Sequence, residues 1–190
     1  MTSGTEQHDL GEAVAARVER RWATLSIVIV GLLAGMAAFI GIHQATMPQG
    51  RVETADPRTL HVSGEFIESN LGSAVEADGS VTVRIVAQQY SFTPQCLLIP
   101  TDTPITFRAT NADVVHGFLI TNTNINSMLE PGYISTFKST FTQPGEHLMP
   151  CHEFCGTGHQ GMWAHVKVID KTAFLKMANA NGSRRLSCVK

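Results

Sequence analysis

Residues 151–165 read CHEFCGTGHQGMWAH, which places Cys151, Cys155, His159 and Met162 at spacings of four, four and three. Thiolate, imidazole and thioether are all metal donors, and their density here is high for a chain with four cysteines in all. A four-residue spacing suits a helix, but Gly156, Gly158 and Gly161 oppose one, and Pro150 stands just before. A loop between strands at 146–149 and 163–169 is expected instead, with its donors turned toward one point. Zinc sites favour Cys-x-x-Cys pairs and use no thioether. Thiolate and thioether together select copper, and imidazole suits copper too. A mononuclear blue-copper site takes a single cysteine with two histidines and a weak methionine. This loop has one cysteine too many for that and one histidine too few. Two thiolates can bridge two coppers, each of which then needs its own imidazole. His116, in NADVVHGFLI after the apolar run 105–109, is the best candidate for the second.

The surrounding residues read as short strands. In 81–85, Val81, Val83 and Ile85 alternate with Thr82 and Arg84; in 133–141, Tyr133, Phe137 and Phe141 share one parity; in 164–168, Ala164, Val166 and Val168 alternate with His165 and Lys167. Turn residues separate these runs at 77–79, 100–104, 131–132 and 144–145. Such punctuation predicts an antiparallel sandwich or barrel over residues 80–170. Residues 171–179 suit a short helix capped by Asp170, within a tail of 171–190. Residues 43–79 carry weak periodicity and read as a linker lying on something else.

Residues 22–42 form 21 consecutive positions without a charge. At ~1.5 Å per residue they cross a hydrocarbon core of ~30 Å. Arg17, Arg20 and Arg21 precede them, so the positive-inside rule puts residues 1–21 in the cytoplasm and residues 43–190 outside. The run is longer than the ~7–15 apolar residues of a signal peptide, which favours an uncleaved anchor. A net charge of -2 argues against a nucleic-acid partner. No Cys-x-x-Cys-His occurs, so no c-type haem is expected on this chain. Cys96 and Cys188 remain as an even pair; outside the cytoplasm they could form a disulfide, though nothing in the sequence brings them close.

The run Cys151-x-Glu153-x-Cys155-Gly156-x-x-His159-x-x-Met162, with His116 upstream, resembles the binuclear copper A site of subunit II of haem-copper oxidases. The resemblance covers nearly the whole chain: one anchor, a linker, then a cupredoxin-like Greek-key β-sandwich. One anchor, together with DVVHGF, TNIN and PGEHLMPCHEFCGTGHQGM, resembles the B-type (ba-type) branch. It implies that Cys151 and Cys155 bridge two coppers. His116 and Met162 complete one copper, and His159 and the backbone carbonyl of Glu153 complete the other. It further implies an electron-entry role in a bacterial plasma membrane. Single electrons pass from a periplasmic cytochrome c or cupredoxin to haem in subunit I, where oxygen is reduced. The carboxylate of Glu153 is a candidate for a magnesium ion at the boundary with subunit I. Glu19, before the apolar run, is a candidate for proton entry. Tyr90 and Phe92 fall where other family members carry a tryptophan-rich electron-entry patch, which this sequence lacks. His147, His152 and His165 are read as non-ligands.

Four other readings compete with this one. A copper A-dependent nitric oxide reductase subunit would share every motif above. A stand-alone copper-binding module fits the donors but leaves the anchor and linker without a partner. A thiol enzyme using Cys151 or Cys155 leaves Met162 and His116 unexplained. A structural zinc site leaves the thioether unexplained.

Overall fold

The computed structural model describes residues 4–43, 52–182 and 185–188. The chain divides into two units, one up to residue 45 and one from residue 46 onward.

The first unit is a helix, α1 (Gly4–His43). Its segment from residue 12 is long and apolar enough to cross a membrane, with a mean hydropathy of 2.5 in its best window. The helix begins well before the expected span 22–42. Residues 4–21 are rich in alanine, glutamate and arginine and hold no proline, so nothing stops the helix there. Glu19 therefore falls inside α1, ahead of the expected span.

The second unit is mainly β. One sheet runs in the order β1 (Glu53–Thr54), β9 (Tyr133–Ser139), β6 (Ile105–Asn111), β3 (Val81–Gln88), β2 (Gly72–Val75), with β4 (Ser91–Thr93) also paired to β3. A second holds β10 (Gly145–Pro150), β11 (Trp163–Ile169) and β5 (Cys96–Pro100). A hairpin joins β7 (His116–Leu119) to β8 (Asn126–Leu129). The pairs β3–β6 and β5–β11 are parallel and the rest antiparallel, so the sandwich is mixed rather than purely antiparallel. Its core follows the sequence periodicity: Val81, Val83, Ile85, Phe107, Phe137, Ala164, Val166 and Val168 are all buried. Tyr133 breaks the expected pattern and is half exposed, because β9 starts there and its first residue is not yet covered. Helix α2 (Lys171–Ala180) starts where expected, with Asp170 accepting from the backbone N–H groups of Thr172 and Ala173.

The segment read as a linker contributes to this unit. Leu60, Phe66 and Leu71 pack with Val86 into a second small core on the other face of β3, and β2 pairs with β3. That is why β3 is buried on both faces. Arg108 on β6 is held between Glu65 and Glu53 of the same segment. These carboxylates hold its guanidinium well above its ordinary range, chiefly through the bond to Glu65 and against the effect of burial.

The tail returns across both sheets. Leu186 bridges to Ser73 on β2, Ser187 bridges to Leu97 on β5, and Cys188 forms a disulfide with Cys96. The pair left open by the sequence is thus joined over a separation of 92 residues.

Candidate metal centre

The loop 151–162 joins β10 to β11, as the sequence predicts. Its two ends are held together where the ladder stops: the N–H of Cys151 donates to the carbonyl of Met162 at 3.0 Å. The first and last candidate donors are therefore fixed across from each other. A short 3-10 turn at His159–Gly161 brings His159 round toward Cys155.

The donors meet at one end of the sandwich. Cys151 Sγ lies 3.9 Å from Cys155 Sγ, 3.8 Å from His116 Nδ1 and 3.2 Å from the carbonyl oxygen of Glu153. Cys155 Sγ lies 3.6 Å from His159 Nδ1 and 3.8 Å from Met162 Sδ. His116 and Met162 are fully buried and both cysteines nearly so; His159 is half-buried. Burial pushes the Cys155 thiol up to about 11, helped by its contact with Cys151.

Asp113 orients His116. Its Oδ1 accepts from Nε2–H of His116 at 2.8 Å and from the N–H of Val114, and its Oδ2 accepts from the N–H of Gln89. This fixes the tautomer, so the Nδ1 lone pair faces Cys151. Burial works to raise the Asp113 carboxyl, but these three donors outweigh it and hold the group below its ordinary range.

Gln89 and Tyr90 form the turn between β3 and β4 and lie on the loop. Gln89 Nε2 donates to the carbonyl of Cys155. The Tyr90 ring lies on Gly156 and Gly158, where a Cβ would stand 2.5 Å from its atoms. Gly117, next to His116, has the backbone of His152 and Glu153 against it: a Cβ there would be 2.6 Å from two amide nitrogens. Neither Gln89 nor Gly117 was singled out from the sequence. Asp113 had a readable signal, its place three residues before a candidate histidine ligand.

The two aromatics named for electron entry differ in exposure. Phe92 is a correction: it is 0% exposed, because pairing with Ala87 turns its ring inward toward Phe118. A ring with no surface cannot form an entry patch. Tyr90 is 37% exposed and borders the loop. Among the described residues, His116, Cys151 and Cys155 form the one group of three or more His, Cys, Asp or Glu donors that could hold a metal, and no carboxylate belongs to it. His147 Nδ1 bonds the Thr121 carbonyl, and His152 lies against Gly117 with its Nδ1 unpartnered.

Two thiols, two imidazoles, a thioether and a carbonyl, with no carboxylate, make a soft donor set. These residues fit copper better than zinc or magnesium.

A family model described as cytochrome c oxidase subunit II, periplasmic domain, matches residues 81–169. A cytochrome c oxidase subunit 2 of Thermus thermophilus is 30% identical over 165 residues, covering 86% of this chain and 98% of its own length. The chain belongs to the cytochrome c oxidase subunit II family. A second Thermus thermophilus subunit 2 is 34% identical over 122 residues, covering 64% of this chain and 90% of its own. One chain of a heme-copper terminal oxidase dimer, solved by cryo-electron microscopy, has the same fold: TM-score 0.63 at 24% identity, covering 80% of this chain and 99% of that one. As a subunit II, the protein is one chain of a haem-copper oxidase, an oxidoreductase built with a haem-bearing subunit I. Its second unit is mainly β, and one apolar helix together with a periplasmic-type domain fits a single-pass membrane protein.

Proposed function

We propose that this subunit II is the electron-entry chain of a terminal oxidase of the B-type branch. Its N-terminus lies in the cytoplasm, its β domain in the periplasm, and it relays single electrons from a soluble periplasmic carrier toward haem in subunit I. The observation that carries this reading is the convergence of six donors, from His116 and the loop 151–162, within one buried end of the sandwich. Cys151 and Cys155 would be shared by two coppers, with His116, His159, Met162 and the Glu153 carbonyl completing the set. When bound, such a pair accepts and returns one electron at a time.

The protein's own part is to hold the donors still. The Cys151–Met162 backbone bond closes the loop, Asp113 sets the imidazole of His116, and burial excludes water from both sulfurs. A frame that does not move between redox states keeps the cost of electron transfer low. The Cys96–Cys188 disulfide supports an extracytoplasmic domain, since disulfides persist in oxidising compartments. Phe154, between the two cysteines, is 78% exposed, and Val114 and Val115 beside His116 are also exposed. These apolar side chains suit close contact with a carrier or with subunit I.

The test is an electron paramagnetic resonance spectrum of the copper-loaded chain with a copper count. Two coppers and a seven-line pattern are expected from one electron shared equally. One copper with a four-line pattern would overturn the binuclear reading.

A further inference from the structure

The candidate donors come from two chain segments with no covalent reason to stay in register. His116 opens β7, while the other five lie in the loop 151–162. Gln89 touches both sides. Its backbone N–H donates to Asp113 Oδ2 at 2.7 Å, and Asp113 in turn holds the His116 ring. Its side-chain amide donates to the Cys155 carbonyl, 66 residues away. The loop has room for that contact because Gly156 has no side chain: a Cβ there would stand 2.9 Å from Gln89 Nε2. The residue sits in the two-residue turn between β3 and β4, and Ala87 and Phe92 on either side are fully buried. Gln89 is thus mounted on a rigid sheet and reaches both donor segments from one backbone position.

We infer that Gln89 is a positioning residue, a strut that sets the distance between the His116 side of the centre and the Cys155 side. The inference rests on the copper reading above for its consequence, though not for its geometry. Only the side-chain amide reaches the loop, and the backbone link to Asp113 survives any substitution except proline. Replacing the amide therefore cuts one arm and leaves the other. The residue itself is exposed, so the fold does not depend on its side chain for packing.

The experiment uses the full chain in detergent, with Gln89→Leu and Gln89→Glu. Both keep the approximate length of the side chain, and neither can donate to the Cys155 carbonyl with an ionised or apolar tip. Three quantities are read: the rate of copper loss to a chelator, the rate at which a thiol reagent modifies Cys151 and Cys155 in the metal-free chain, and the unfolding temperature. Copper loss is expected to be about ten-fold faster in both variants. Thiol modification is expected to rise by about two- to ten-fold, as for a lost hydrogen bond. The unfolding temperature of the metal-free chain should fall by no more than about 2–4 °C, as for one hydrogen bond in a domain of this size. Wild-type rates for copper loss and thiol modification in both variants would overturn the inference. So would a larger fall in the unfolding temperature of the metal-free chain accompanying the faster rates, because Gln89 would then support the fold at large. A wild-type chain that takes up no copper would sink the copper reading instead, and the thiol rates would still decide the role of Gln89.

Discussion

Cys151 and Cys155 stand with their sulfur atoms 3.9 Å apart, both free, in a domain whose other two cysteines are joined to each other. Each sulfur also has its own imidazole neighbour, His116 for one and His159 for the other. If both thiolates are shared between two coppers, neither is dispensable. Cys151→Ser and Cys155→Ser are each expected to abolish the two-copper spectrum and oxidase turnover, read by copper count and electron paramagnetic resonance. A wild-type spectrum in either variant would exclude the shared role.

Met162 should behave differently. It is fully buried and contributes a thioether, a weak ligand. Met162→Leu conserves most of the volume and should cost the fold less than about 1.5 kcal/mol. Both coppers should remain, with a shifted reduction potential and slower electron flow. Loss of all copper would show that the thioether is required to assemble the centre.

Asp113 accepts three hydrogen bonds and passes their order to His116. Asp113→Ala frees the ring to turn and to change tautomer. Copper affinity is expected to fall by about 10–100-fold, as for other outer partners of a metal ligand. Competition with a chelator of known affinity measures it, and an unchanged affinity would mean that packing alone holds the ring.

Gly158 and Gly161 make a matched comparison within one loop. A Cβ at 158 would press into the Tyr90 ring at 2.5 Å, while a Cβ at 161 meets nothing within 4 Å. Gly158→Ala should therefore destabilise the domain by about 1–3 kcal/mol, and Gly161→Ala by less than about 0.5 kcal/mol. Denaturant titration of both variants checks the difference. Equal effects would mean that Tyr90 is free to move aside.

The disulfide closes a loop of 92 residues and fixes the tail that spans both sheets. Cys188→Ser is expected to lower domain stability by about 2–5 kcal/mol. The copper spectrum of the folded variant should be unchanged, because neither Cys96 nor Cys188 is among the clustered donors. A changed spectrum would show that the tail shapes the centre.

The centre was more legible than its support. Cys151, Cys155, His159 and Met162 share one short segment, so residue type and spacing exposed them directly. His116 could be found because a second imidazole was chemically required. The contact of Gln89 with Cys155 crosses 66 residues and leaves no local pattern in either segment. Phe92 was named from its position in the resemblance, and a matching position does not say which way the ring will turn. Residues 53–75 looked like a linker because their strands are two and four residues long, too short for periodicity to register. Their apolar anchors, Leu60, Phe66 and Leu71, stand singly in sequence and meet only in space. The disulfide was open for the same reason, since its proximity is made by the returning tail.

Tyr90 lying on Gly156 and Gly158 also constrains how this sequence can diverge. A side chain at position 158 is admissible only with a smaller residue at position 90, and a smaller residue at position 90 leaves a gap over the loop unless something fills it. Neither position can drift alone. The contact couples the aromatic to the glycines, so a substitution that is costly in this background is expected to cost less in one where its counterpart has already changed.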